Sequence, residues 1–247
     1  MSVGRFAPSP TGPAHPGTFL SGLLAWLDAR SNGARFVLRL EDIDQQRSKA
    51  AYASAMVEDL AWLGLDWDEL VVQSERRDAH YQALDQLAER DLLYGCTCSR
   101  ATLRATAAVA SDGSRLYPGT CRGRVLGSQN WRDFDGTVRY RVADITTTVR
   151  QIQGPDRVMR PAVEMGDPVV RRKDGAVTYN LAVVVDDIEK RVTRVVRGND
   201  ILPSTGIHAA LYRDFSQPTP AYWHHPLLLE ERLSRGDGTK LSKLNGS

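Results

Sequence analysis

The chain has 247 residues, of which 42% are hydrophobic and 25% charged, and its 32 basic and 30 acidic residues leave a net charge of +2. This length allows one sizeable core or a domain with an insertion, and the balanced charge excludes a strongly basic protein, so nucleic acid can be bound only by a local patch. No run of about 18 apolar residues is present, which excludes a membrane-spanning helix.

Strands and helices alternate in the first half of the chain. A strand-like start leads through a Pro- and Gly-rich loop into a helix predicted over 19–30, followed by a strand over 34–40. The spacing of apolar residues predicts further helices over 48–63 and 78–93. Such alternation is typical of a parallel sheet, so we predict an α/β fold with a Rossmann-like sheet.

The second half of the chain continues this pattern after a different middle region. Residues 94–175 are rich in Gly, Arg, Thr and Asp, and we interpret them as a subdomain inserted between the two halves of the sheet, 1–93 and 176–247. The later elements are predicted in chain order as strands over 138–142, 177–185 and 192–196, a helix over 201–215 and a last strand over 226–229. The apolar run within 177–185 favours a strand buried on both faces.

Two distant segments indicate a nucleotide site. His15-Pro16-Gly17 lies where a Pro- and Gly-rich loop enters the first helix, and a helix N-terminus favours phosphate. His15 can donate a hydrogen bond to a phosphate oxygen, and Lys240 and Lys243 in a Gly-rich loop near the other end add positive charge. Each segment alone is weak, because such loops are more often solvated turns.

In order and spacing, the two segments resemble the ATP motifs of the class I aminoacyl-tRNA synthetases, most closely the glutamyl branch. The lead Arg-Phe-Ala-Pro-Ser-Pro-Thr-Gly before the His-x-Gly is the specific part, and the resemblance can be followed from Arg5 to Lys243. It implies that ATP, with Mg²⁺, is a substrate bound by His15, Gly17, Thr18 and Lys243. It also implies that His15, Lys240 and Lys243 stabilise the charge that develops in the reaction.

An amino-acid pocket is predicted beside these motifs. Arg5 and Glu41 each lie near a strand end, where one can grip a carboxylate and the other an ammonium group; the alternative is a surface charge network. The resemblance implies a larger set of glutamate-binding residues, namely Arg5, Ala7, Ser9, Glu41, Tyr179 and Arg197. Arg5, Tyr179 and Arg197 would face the side-chain carboxylate, which predicts glutamate in preference to glutamine because an amide would leave their charges unpaired.

The three cysteines indicate a metal site. Cys96 and Cys98 form a Cys-x-Cys pair, Cys121 follows, and three thiolates suit Zn²⁺, which usually takes four ligands in a structural site. Three reduced, half-buried cysteines are the alternative, and an odd number fits a reducing cytoplasm. The resemblance extends to small family members without an anticodon-binding domain, and it implies one structural zinc ion held by Cys96, Cys98, Tyr117 and Cys121.

The resemblance implies a ligase that activates L-glutamate and transfers it to queuosine in the anticodon of tRNA(Asp). We also expect the protein to be a monomer and to be cytoplasmic. The nearest alternative is a catalytic-domain fragment of a standard glutamyl-tRNA synthetase, since the chain ends soon after Lys243. A non-catalytic binding protein and another nucleotidyl transferase, such as a pantothenate-type ligase, are further alternatives. The remaining histidines lack a carboxylate or thiol partner by spacing and are predicted to serve packing or the surface: His80, His208, His224 and His225.

Overall fold

The structure, a computed structural model, describes residues 1–99, 101–103, 108, 116–126, 131–230 and 239–240. The chain divides into two compact units. The first comprises Met1–Glu75, Lys190–Ile201 and Pro220–Ser247, and the second comprises Arg76–Glu189 and Leu202–Thr219. The two units group residues that contact one another, and their bounds differ from those of the three predicted segments. The inserted subdomain over 94–175 therefore stays a prediction.

Twelve strands and six helices are assigned within the described ranges. The strands are β1 (Val3–Phe6), β2 (Arg35–Leu40), β3 (Glu69–Val72), β4 (Leu93–Cys96), β5 (Thr137–Tyr140), β6 (Thr147–Val149), β7 (Arg157–Met159), β8 (Val169–Arg171), β9 (Arg194–Gly198), β10 (Ala221–His225), β11 (Leu229–Glu230) and β12 (Thr239–Lys240). The helices are α1 (Pro16–Ser31), α2 (Ala50–Trp62), α3 (Arg77–Glu89), the single turn α4 (Pro161–Glu164), α5 (Tyr179–Glu189) and α6 (Ser204–Asp214).

The first unit is built on a parallel five-stranded sheet in the order β10-β9-β1-β2-β3. The chain winds from β1 outward through β2 to β3, and then resumes on the other side of β1 with β9 and β10. The strand order therefore reverses between β1 and β9, and the crevice at the carboxyl end of such a reversal is where open α/β sheets bind ligands. This Rossmann-like sheet confirms the predicted fold class.

Helix α1 packs closely on one face of this sheet because small residues line its inner side. A Cβ atom added to Gly22 would lie 3.1 Å from the ring of Phe6, and one added to Gly4 of β1 would lie 3.0 Å from Cβ of Ala29. Larger residues at these glycines would force the helix away from β1. The close contact fixes the start of α1 relative to the strand ends.

The second unit contains an antiparallel sheet in the order β4-β5-β8, the hairpin β6-β7, and the helices α3 to α6. Helices α3 and α5 are joined by a buried contact of 2.8 Å between Nε2 of His80 and Oδ1 of Asp186. His80 therefore has a carboxylate partner, which its spacing in the sequence did not indicate.

The predicted strand over 177–185 is wrong, because Tyr179–Glu189 forms α5. A short apolar run suits a buried strand and a buried helix equally, and periodicity cannot separate the two. Here Leu181, Ala182, Val183 and Val184 are all buried within a helix. Packing on several sides thus outweighs the preference of valine for strands.

Two predicted boundaries also need correction. The helix predicted over 78–93 ends at Glu89, where Asp91 adopts a φ of 54° and turns the chain into β4. The strand predicted over 226–229 is wrong for residues 226–228, which form no strand; β10 ends at His225, and the next strand, β11, begins at Leu229. Pro226 follows β10 and has no N–H group with which to continue the ladder. The other predicted elements of 19–30, 34–40, 48–63, 138–142, 192–196 and 201–215 are confirmed with shifts of a few residues at their ends.

None of the helices in the described part of the chain has the length and apolar character required to cross a bilayer.

Candidate active site

Three buried arginines share one face of the parallel sheet near its carboxyl end. Arg5 of β1 pairs in register with Val37 of β2 and Val195 of β9, so these three side chains point to the same face. Arg39 and Arg197 each follow two residues later on their strands and therefore lie on that face too. All three arginines are buried, and Arg5 and Arg197 flank the reversal of strand order. Such a face is suited to an anionic ligand.

Glu41 lies directly after β2, next to this face. Its Oε1 atom accepts a hydrogen bond of 3.1 Å from Nη2 of Arg39, and both side chains are buried. Its backbone N–H donates to the carbonyl oxygen of Pro8, which lies in the loop after β1 between Ala7 and Ser9. The predicted residues Arg5, Ala7, Ser9 and Glu41 thus lie on two neighbouring segments at the same edge of the sheet.

Arg197 is held by the end of the neighbouring strand β10. Its Nε atom donates to Nε2 of His224 at 3.4 Å, and its guanidinium group lies 5.1 Å from the ring centre of Tyr222. The rings of Tyr222 and His224 are stacked with centroids 5.6 Å apart. His224 was predicted to serve packing or the surface, but it accepts a hydrogen bond from a predicted binding residue.

The start of α1 carries the predicted nucleotide motif. His15 is the N-cap, and its Nδ1 atom accepts a hydrogen bond of 3.1 Å from the backbone N–H of Gly17. Because Nδ1 accepts, the neutral ring carries its proton on Nε2. His15 therefore presents an N–H donor at a helix N-terminus, the arrangement that suits a phosphate group.

Gly17 and Pro16 fit this geometry. A Cβ atom at Gly17 would lie 2.9 Å from Cε1 of His15, so a side chain there would displace the ring. Pro16 stands at the first helical position. A backbone N–H at this position would have no partner within the helix, so proline costs no hydrogen bond there, and its fixed φ angle favours the helix. Thr18 follows in the first turn, with its N–H bonded to the carbonyl of His15 at 2.8 Å.

Three further residues belong to the predicted site, namely Tyr179, Lys240 and Lys243. Tyr179 begins α5 in the second unit, with its ring 5.5 Å from that of His208. Lys240 belongs to β12, but only its backbone is described, and Lys243 lies outside the described residues. The structure therefore does not test the roles of these three residues.

The three cysteines of the second unit come together beside Tyr117. Their sulfur atoms all lie within 4.8 Å of one another, and none takes part in a disulfide. The Sγ atoms of Cys98 and Cys121 are 3.6 Å apart, and the Tyr117 hydroxyl lies 3.5 Å from Sγ of Cys96 and 3.8 Å from Sγ of Cys98. The ligands of a tetrahedral zinc ion would be separated by about 3.8 Å for two sulfurs and about 3.6 Å for sulfur and oxygen. The three separations given above lie close to these values, and the three cysteines could hold a metal ion.

The surroundings of Cys96 favour a thiolate at that position. Burial raises the pKa of the Cys96 thiol, but hydrogen bonds from Tyr117 and Arg139 outweigh it and lower the pKa to about 6. The buried guanidinium of Arg139 lies 3.6 Å from the ring centre of Tyr117. Burial raises the pKa of Tyr117, so a phenolate there would need the charge of a bound metal ion.

Comparisons with known proteins agree with this architecture. The family described as "tRNA synthetases class I (E and Q), catalytic domain" matches residues 2–247. A glutamate-tRNA synthetase from Elizabethkingia anophelis has a similar structure, with a TM-score of 0.79, 28% identity and 99% of this chain covered. The chain spans about half of that synthetase, 53% of its length. The chain belongs to this catalytic-domain family of the class I tRNA synthetases.

More similar relatives define a narrower group. A protein of Symbiobacterium thermophilum named glutamyl-Q tRNA(Asp) synthetase is 43% identical over 100% of this chain and 79% of the relative. A protein of the same name from Rhodobacter capsulatus is 38% identical over 98% of this chain and 94% of its own length. Within its class, the chain therefore belongs to the family of the glutamyl-Q tRNA(Asp) synthetases.

Proposed function

We propose that this protein is an ATP-dependent ligase that activates L-glutamate as glutamyl-adenylate and transfers the glutamate to queuosine in the anticodon of tRNA(Asp). The observation that carries the proposal is the buried arginine face, where Arg5 and Arg197 flank the reversal of strand order. In the same unit, helix α1 begins with an N–H donor on His15. The arginine face is suited to an anionic amino acid, and the start of α1 is suited to the phosphates of a nucleotide.

The reaction needs no nucleophile from the protein, because the protein has only to position glutamate and ATP for direct attack. The α-carboxylate of glutamate attacks the α-phosphate of ATP in line, which forms the mixed anhydride and releases pyrophosphate. His15 and the first turn of α1, with Gly17 and Thr18, stabilise the charge that develops on the phosphates. Lys240 and Lys243 would add positive charge, and Mg²⁺ would enter with ATP.

Glutamate is recognised by its two carboxylates and its ammonium group. Arg5 and Arg197 serve the side-chain carboxylate, and Glu41, oriented by its ion pair with Arg39, serves the ammonium group. Ala7 and Ser9 line the adjoining loop, and the resemblance assigns the hydroxyl of Tyr179 to the same carboxylate.

The acceptor is inferred from the relatives. Those named glutamyl-Q tRNA(Asp) synthetase are 38–43% identical to this chain, whereas the solved glutamate-tRNA synthetase is 28% identical. This difference does not favour a fragment of a standard glutamyl-tRNA synthetase. A monomer in the cytoplasm fits the proposal.

The second unit holds one structural zinc ion in this proposal. Cys96, Cys98 and Cys121 are the thiolate ligands and Tyr117 is the fourth, supported by the distances among these donors. The ion would supply no chemistry to the transfer reaction; it would crosslink the segment after β4 to the segment around Cys121.

The proposal is tested by incubating the purified protein with ATP, radiolabelled glutamate and three acceptors. These are tRNA(Asp) containing queuosine, the same tRNA with guanosine in that place, and tRNA(Glu). We expect label only on the queuosine-containing tRNA(Asp). Label on tRNA(Glu) would instead indicate a standard glutamyl-tRNA synthetase, and absence of label on all three would contradict the proposed transfer.

A further inference from the structure

Strand β10 ends with two adjacent histidines that face opposite sides of the sheet. Successive side chains of a strand alternate between its faces, so His224 lies on the face of Arg197, with which it pairs in register. His225 lies on the other face, in edge contact with the ring of Trp223 at 6.4 Å. That second face is the one on which α1 packs.

The buried ring of His225 is hydrogen-bonded at both nitrogens. Nδ1 lies 2.8 Å from the carbonyl oxygen of Pro226, and Nε2 lies 3.0 Å from Oγ of Ser21 in α1. A carbonyl oxygen can only accept, so Nδ1 carries a proton.

Ser21 connects this ring to the first turn of α1. Its Oγ atom also donates to the carbonyl oxygen of Gly17 at 2.9 Å, and the N–H of Gly17 is bonded to Nδ1 of His15. The hydroxyl of Ser21 is thus held between two neighbours, the Gly17 carbonyl of its own helix and the ring of His225, and the two contacts together fix the conformation of this side chain. The side chain of His225 consequently influences how firmly Gly17, and through it His15, is held.

We propose that His225 is a positioning residue for the nucleotide-binding end of α1, acting through Ser21 and Gly17. This inference rests on the proposed function, in which that end of the helix binds the phosphates of ATP. Weakening the contact should loosen the first turn and lower the affinity for ATP. The affinity for glutamate should not change, because the arginines lie on the opposite face of the sheet.

Two substitutions of His225 separate this role from simple packing. In His225→Gln the amide can take the place of Nε2 and keep the contact with Ser21, whereas in His225→Asn it can replace only Nδ1. The KM values for ATP and for glutamate are measured separately by glutamate-dependent ATP–pyrophosphate exchange. We expect His225→Asn to raise the KM for ATP by about 2- to 10-fold, the effect of one hydrogen bond, with His225→Gln near the wild type. The KM for glutamate should stay within about twofold in both variants.

Ser21→Ala provides an independent test if the histidine variants fold poorly. It should raise the KM for ATP at least as much as His225→Asn does, because it also removes the hydrogen bond to the Gly17 carbonyl, and the double variant should be no worse than Ser21→Ala alone. Equal effects of Gln and Asn, or equal changes in both KM values, would overturn the inference.

Direct binding of α,β-methylene ATP, measured by calorimetry, distinguishes this inference from the proposed function. Weaker binding by His225→Asn than by His225→Gln supports the positioning role even if the wild type shows no exchange, which would count against the function alone. Equal binding by the wild type and His225→Asn, or no binding by the wild type, would overturn the positioning role.

Discussion

In the proposed function His15 has two tasks at the start of α1, and its two ring nitrogens divide them. Nδ1 accepts from the N–H of Gly17 and so caps the helix, which leaves the proton of the neutral ring on Nε2. Capping fixes the ring in place, and the Nε2–H group is the donor that a phosphate oxygen needs. The short spacing His-x-Gly follows from this double role, because a side chain at Gly17 would collide with the ring.

The substitution His15→Asn should separate these tasks. Asparagine is a good N-cap and can accept from Gly17, but it lacks a donor at the position of Nε2. We expect unchanged thermal stability and a decrease in kcat of exchange by about 10²-fold or more, the loss typical of one transition-state donor. Near-normal kcat in this variant would refute the proposed role of the His15 donor.

The arginine face predicts a strong preference among amino acids. Glutamine matches glutamate in shape but carries no charge, so it would leave Arg5 and Arg197 with a buried amide in place of a carboxylate. We expect kcat/KM for glutamate to exceed that for glutamine by more than about 200-fold, the upper limit for a difference of one methylene group. Exchange supported equally by both amino acids would contradict this assignment.

For the single residues of the candidate site, the sequence predicted those in local motifs but not those that reach the site through contacts between strands. His15, Gly17 and the Cys-x-Cys pair are short-range patterns whose chemistry follows from their spacing. Arg39, Tyr222 and His224 join the site only through the register of β2, β9 and β10. Nothing in the spacing of Arg39 from Arg5, or of His224 from Arg197, indicates that register.

Among the elements, α5 is the one whose type the sequence pattern predicted wrongly. Its valines favour a strand, yet the helix is buried and carries Asp186 toward His80 of α3. Alternation fails as a guide here because the helix has few solvent-facing residues to mark its period.

The pair of His80 and Asp186 should matter for the stability of the second unit. His80→Ala leaves the buried carboxylate without the imidazole and should lower the free energy of unfolding by about 3 kcal/mol in urea titrations. Arg160→Ala is the control, because it removes an exposed ion pair with Asp144 and should cost less than about 1 kcal/mol. Similar decreases in the free energy of unfolding for the two variants would mean that the pair of His80 and Asp186 contributes little to stability.

The metal cluster gives a second prediction at the scale of elements. Elemental analysis should find about one zinc ion per chain, and Cys98→Ser should lose it, since a structural site needs all its thiolates. We expect removal of the metal with a chelator to lower Tm by about 5 °C or more. Thr97→Val, between two of the ligands, should retain the metal. A stable protein without any metal would instead support three reduced cysteines.

For the whole molecule, the alternation of strands and helices predicted the parallel sheet, which is confirmed, and the motifs at its carboxyl end indicate the proposed ligand sites. The reversal of strand order between β1 and β9 could not be read from the sequence, because the residues between Val72 of β3 and Arg194 of β9 give no sign of the side on which the chain returns. That reversal brings Arg5 beside Arg197, two residues far apart in the chain. The amino-acid site is therefore a property of the topology and the nucleotide site largely one of a local motif.

Glutamate-dependent exchange between ATP and labelled pyrophosphate, with and without bulk tRNA, tests the account most directly. It requires glutamate, ATP and the site at the carboxyl end of the sheet to act together, and needs no knowledge of the acceptor. We predict exchange by the wild type without tRNA, reduced about 10²-fold by His15→Asn. Exchange only in the presence of tRNA would indicate a standard glutamyl-tRNA synthetase, and absence of exchange under both conditions would contradict the claim that this chain activates glutamate.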